Sequence, residues 1–241
     1  MTAPRGLLTD LEEPYRSRAI PAGSIPYWSW RFAAADARAP LLGVFALGAE
    51  WRALADPATE AAAARLQLAW WSEEMHRLSA RAPVHPISRY LARLPRADTV
   101  DFSPLVRTVA AAAAESAGVP VERAADLPSH AQDLIGIPLL TAAALQGAAR
   151  PDAESAEGLR ECIGAIAIGE YRRRALGHRR RDARFGRISF AVDELLAAGI
   201  DNEDLAADMP TPHLRAFLDR ERESATAQFA HAAGALDLRL R

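Results

Sequence analysis

The sequence predicts an all-α, single-domain protein. Three observations carry that expectation. Alanine makes up roughly a fifth of the 241 residues, and all 29 basic residues are Arg, both good helix formers. Apolar residues recur at helical spacing along almost the whole chain, punctuated by Pro and Gly. Sustained period-two alternation bounded by hairpin turns is found nowhere.

The elements follow in order. Residues 1–25, with several Pro and Gly and scattered charge, read as an extended lead-in, and residues 26–236 as one helical domain. A first helix carries Tyr27, Trp30 and Phe32 and stops near Pro40. A second runs from about Leu41 to Ala55. Asp56-Pro57 breaks it and sets up a third, about 58–80, with Leu66, Ala69, Trp70 and Leu78 at helical spacing and Glu60, Glu73 and Glu74 facing outward. His85-Pro86-Ile87 opens a shorter helix that ends before Pro95, and another lies between Pro104 and Gly118. From about Ser129 to Gly147 a helix must kink or restart at Pro138, which lacks an N–H. Pro151-Asp152 marks a turn. A long helix follows from about Ser155 to His178 or slightly beyond, then an irregular link through 192–198, then a last helix over about 212–236.

Composition excludes several function classes. A net charge of -2 and a pI near 6.3 give no electrostatic case for nucleic acid. The single Cys162 rules out an intrachain disulfide framework and a thiolate zinc site. No run of apolar residues is long enough to span a bilayer, and the first thirty residues have no signal-peptide core, so a cytoplasmic address is expected. Gly-rich phosphate loops, HExxH and nucleophile elbows are missing, and the six His are scattered as surface or capping residues.

Two constellations stand out. Trp70-Trp71 sit about 100° apart on a helix, so one can pack in the core while the other faces a cleft or second interface. Arg172-Arg173-Arg174 and His178 through Arg187 place eight Arg in sixteen residues, forks suited to phosphates, carboxylates or anionic lipid head groups. The competing reading is a solvated helix end favoured by the macrodipole. Glu50 and Asp56, six residues apart, are about 240° out of phase and do not form a metal pair on one helical face.

Phe45-Ala46-Leu47-Gly48-Ala49-Glu50, the Leu68-Ala69-Trp70-Trp71-Ser72-Glu73-Glu74 run, His85-Pro86-Ile87 and the Arg181–Ile188 stretch with Val192–Ile200 together resemble the squalene/phytoene synthase family. The resemblance implies an isoprenoid-synthase-like helical bundle around a central cavity. In that family two Asp-rich motifs hold Mg²⁺ ions that grip prenyl diphosphates. Here the first motif falls on Glu50–Leu54, where only Glu50 keeps a carboxylate and Arg52 introduces a positive charge. The second falls on His178–Asp182, where only Asp182 survives. The implied residual cavity or diphosphate site comprises Glu50, Arg52, Asp56, Arg172, Arg173, His178, Asp182 and Arg187, with Glu50 and Asp182 as the remaining metal candidates. The Glu50-to-Asp56 spacing also resembles the branch containing the mitochondrial complex I assembly factor. The resemblance therefore implies a non-catalytic binding or assembly protein that needs no cofactor. It would take an isoprenoid or lipid ligand, or a respiratory-complex or membrane-surface partner, at the inner membrane. The alternatives are an active Mg²⁺-dependent prenyl transferase and a helical interaction protein whose Arg face docks on anionic lipid.

Overall fold

The computed structural model describes residues 11–147 and 153–237. The turn at Pro151-Asp152 lies outside the described residues, as do residues 1–10 of the expected lead-in. Every regular element among the described residues is helical.

The lead-in is not extended throughout. Helix α1 occupies Glu13–Ala19, with Pro14 in its first turn, where a missing N–H is harmless. Its neighbours Leu11 and Ile20 and its own Ala19 are buried against α3, so tertiary packing makes a helix where local composition suggested none. Ser24 caps α2 (Ile25–Phe32) by accepting from the Tyr27 N–H. Pro40 does not end a helix, as expected, but sits in the first turn of α3 (Arg38–Leu54). Glu60 caps α4 (Ala61–Ser79), accepting from the Ala62 and Ala63 N–H groups. Next come α5 (Pro86–Ala92) and α6 (Leu105–Ser116).

The expected break at Pro138 is realised one turn upstream. Helix α7 (Leu127–Ala131) widens into a π turn, Gln132–Gly136, before α8 (Ile137–Gln146) resumes. Pro138 cannot donate to the carbonyl four residues earlier, and the π turn absorbs the mismatch. Helix α9 (Ala153–Arg184) is the longest. The link after it, expected to be irregular, contains α10 (Val192–Ala198) and α11 (Asn202–Ala206). A reciprocal capping box between Asp201 and Asp204 starts α11. Helix α12 (Pro212–Asp237) packs along α9.

Four apolar clusters result among the described residues, two of them large. One joins α1, α3, α4, α5, α6 and α8 through Leu42, Leu47, Leu68, Met75, Leu78, Ile87, Leu91 and Leu105. Each such side chain removed from water stabilises by about 1.5–3 kcal/mol. The other gathers Phe190, Leu195, Leu205, Leu214 and Phe217 around the end of α9. Gly43 lets α3 and α5 approach: a Cβ there would stand 2.4 Å from Leu91 Cδ2.

Two expectations for α4 resolve differently. Trp71 is buried and meets the Trp51 ring edge-on at 5.9 Å, while Trp70 remains exposed, as the 100° offset requires. Glu74, expected to face outward, is fully buried. It accepts from the Val84 and His85 N–H groups at 2.9 and 2.8 Å and from Arg77 Nε at 2.8 Å, so it fastens α4 to the start of α5. Burial alone would raise its pKa, but these donors outweigh burial and hold it below the usual carboxylate value. Periodicity cannot anticipate a carboxylate whose donors come from a distant loop.

Candidate functional site

Where α3, α6, α8, α9 and α12 meet lies a cavity with two adjoining compartments. The chamber has a volume of about 650 Å³, within the range of small-molecule sites, and is bordered on one side by Arg18, Gly23 and Ile25. Its walls are mostly apolar: Val44, Phe45 and Trp51 from α3, Ala112 from α6, Leu134 and Ile135 from the π turn, Pro138 and Leu139 from α8, Ile166 from α9 and Phe229 from α12. The spacing on α3 (44, 48, 51, 52, 55) and on α9 (166, 170, 173, 174, 178) is that of one helical face in each case.

The chamber continues into a polar neck of about 350 Å³. Arg52, Ala55, Glu115, Arg174 and His178 line both compartments and form their common boundary. Beyond them the neck gathers Asp56, His130, Tyr171, Arg181, Asp182, Arg187 and Ser189.

Arg52 is the unusual member. Its side chain is exposed, and it borders both compartments with protein atoms crowded around it. Desolvation in that setting, and then the nearby Arg174 charge, lower its pKa to about 10. Among the described residues no carboxylate reaches its guanidinium within ion-pair distance. Gly48 leaves it room, since a Cβ there would lie 2.9 Å from Nη1.

The other charged groups of the neck are engaged. Asp56 accepts from Arg181 and from the Ala58 N–H at 2.9 Å, and the Arg181 bond holds its carboxyl below the usual range. Asp182 accepts from Ser189 Oγ at 2.7 Å. Arg187 donates to the carbonyls of Ala55 and Ser116, pinning the C-terminal ends of α3 and α6 to the segment after α9. Glu115 lies 3.8 Å from His130 Nε2 and 4.0 Å from Arg174 Nη2. Burial would raise its pKa, but His130 and the surrounding Arg charges hold it low. Burial and the Glu115 charge raise the pKa of the Tyr171 hydroxyl.

Of the sequence-predicted residues, Arg52, Asp56, His178, Asp182 and Arg187 meet in the neck. Arg173 lines the chamber and is bound to Glu170 at 2.6 and 2.8 Å. Glu50 is not brought to the site. It lines neither compartment, because its position on α3 lies off the stripe through Gly48 and Arg52, and it reaches the chamber only through Arg18 of α1, a wall residue that donates to it at 2.7 and 3.1 Å. Arg172 is likewise corrected: it binds the buried Glu221 of α12, with Glu194 at 3.8 Å. Nor do Arg179, Arg180 and Arg184 face the cavity, since Arg179 donates to carbonyls ending α11 and the other two pair with Asp208. The sequence reading missed Glu115, His130, Tyr171, Arg18 and Glu170, and named Arg174 only as part of the Arg cluster. Only Arg174 left a signal, one turn before His178 and two before Asp182.

This donor set does not suit a magnesium cluster. Such a cluster needs several convergent carboxylate oxygens. Among the described residues no group of three or more His, Cys, Asp or Glu is placed to hold a metal ion, and each neck carboxylate is already turned to a partner from the chain itself. No helix among the described residues is long and apolar enough to cross a membrane.

A family model described as squalene/phytoene synthase matches residues 24–240. No curated protein sequence matches the chain. Among solved structures, a dehydrosqualene synthase crystallised in complex with ligand aligns with TM-score 0.74 at 14% identity, over 97% of this chain and 79% of that one. The squalene synthase HpnC from Alicyclobacillus acidocaldarius aligns with TM-score 0.70 at 21% identity, over 98% and 87% respectively. At these identities the likeness establishes the all-α isoprenoid-synthase fold.

Proposed function

The chain belongs to the squalene/phytoene synthase family, and from that premise we propose that it binds an isoprenoid or similarly chain-like lipid in its apolar chamber without performing Mg²⁺-dependent condensation. One observation carries this reading. The chamber adjoins a neck whose carboxylates are bound by the protein's own side chains, with the Arg52 cation on the boundary between them. Apolar walls favour a hydrocarbon tail through the hydrophobic effect, about 25 cal/mol for each Å² withdrawn from water. A cation at the boundary repels Mg²⁺ while attracting an anion.

The test is incubation with farnesyl and geranylgeranyl diphosphate with and without Mg²⁺, following diphosphate release and extracting hydrocarbon products beside an authentic synthase. The expected result is ligand binding with no turnover. Mg²⁺-dependent product would establish the active transferase instead. A role in respiratory-complex assembly at the inner membrane is supported only by the sequence resemblance over residues 49–57. Pull-down against respiratory subunits tests it separately.

A further inference from the structure

We propose that the boundary between chamber and neck is a metal-independent phosphate site, in which Arg52 and Arg174 grip the anionic head of the ligand directly and Glu115 is the internal anion that competes with it. The proposal rests on the reading of the chamber as a tail site, and extends it to the chemistry of the head.

Charge and geometry lead there. The two guanidinium groups border both compartments, and of the two carboxylates near them Glu170 is bound to Arg173, which leaves Glu115. It lies at 4.0 Å from Arg174 and is shared with His130 at 3.8 Å, while Arg52 has no ion-pair partner among the described residues. The remaining neck cations are committed, Arg181 to Asp56 and Arg187 to two helix-end carbonyls. With Glu170 held by Arg173, two forks share Glu115 at the compartment boundary, an arrangement that an incoming anion relieves. A phosphate or diphosphate group, with two or more negative charges and several acceptor oxygens, satisfies two planar forks better than a single carboxylate can. The same boundary is where the apolar walls end, so a tail in the chamber delivers its head to these residues.

Calorimetric titration in EDTA with three probes tests this: inorganic pyrophosphate, farnesol and farnesyl diphosphate. Farnesyl diphosphate is expected to bind about ten-fold or more tighter than farnesol, as charge-assisted hydrogen bonds of about 1.5–3 kcal/mol imply, and added Mg²⁺ should not tighten it. Arg52→Gln and Arg174→Gln should remove that preference while leaving farnesol affinity in place. Arg52→Lys, which keeps the charge but loses the fork, should restore part of it and guards against a folding artefact. Glu115→Gln should strengthen both phosphate ligands several-fold, an outcome that a merely structural carboxylate would not give. Arg52-dependent pyrophosphate binding with no gain for the prenyl ester supports the head site with a free anion as its source. Equal affinity for farnesol and its diphosphate overturns the head site and leaves the tail site standing. Weakened phosphate binding in Glu115→Gln, or a preference that appears only with Mg²⁺, also overturns it. Failure of all three probes overturns both readings.

Discussion

His85 shows how much one residue can hold together in this protein. Its ring packs against Trp71 at 4.5 Å and Tyr15 at 5.4 Å, and its Nδ1 accepts from the Ile87 N–H at 3.2 Å to cap α5. That acceptor exists only while Nδ1 is unprotonated. Burial lowers the His85 pKa below its usual 6.5, against the opposing pull of Glu50 and Glu74. Between the two values the unfolded chain binds the proton more readily, so stability rises with pH there. The contribution is complete above pH 6.5 and is lost as pH falls through the folded value. Melting temperatures from pH 7.5 down to 5 should therefore fall more steeply for the native chain than for His85→Asn, which keeps a capping oxygen without a titrating ring. Parallel slopes would refute the assignment. Such residues also mark where sequence reading stops. Arg52 and Asp182 were legible because an added positive charge or a lone surviving carboxylate stands out against a known motif. Glu50 and Arg172 misled because the same chain order is compatible with a side chain facing the cavity or facing away.

At the scale of helices, close approach rather than propensity decides the energetics. Gly43→Ala would place a methyl group 2.4 Å from Leu91 Cδ2 and 3.2 Å from Tyr90 Cε1, where α3 meets α5. Alanine is the better helix former by about 1 kcal/mol in isolation. The overlap should reverse that sign and destabilise by about 1–3 kcal/mol, read as a lower urea midpoint with unchanged slope. A neutral or stabilising result would mean that α5 yields readily. The long helices were legible because their stops are chemical: Pro104 and Gly118 bracket α6, and Pro212 opens α12. Helices α1, α10 and α11 were not, since elements of five to seven residues form only where partners bury them, and of the short helices α5 alone had a start signal that was read, His85-Pro86. The π turn is intermediate. Pro138 announced a break, but its placement one turn upstream depends on the α9 surface against which Gln132–Gly136 packs.

For the molecule as a whole, the chamber lies along a seam between α9 and the α3–α6 side that α7, the π turn and Arg187 already bridge. A chain-like ligand would touch α3 and α6 on one side and α9 on the other, adding contacts to those bridges. Saturation at about a hundred times Kd should add about 2.7 kcal/mol of stability. Hydrogen exchange should slow in α3 and α9 together while α4 and α5 remain unchanged. Protection confined to one wall would indicate surface binding. Fold class was readable from Ala content, Arg usage and periodicity because those are properties of each helix taken singly. The cavity is a property of how helices miss one another, and chain order does not record it. The pairings in the neck have a consequence for how it tolerates change. Each carboxylate has a local companion: Asp56 with Arg181, Asp182 with Ser189, Glu115 with His130 and Arg174. An acid placed at position 52 would meet three acids already spoken for, and freeing any one of them would strand its companion. The neck therefore behaves as an interlocked set of charges, in which several exchanges made together cost less than any one made alone.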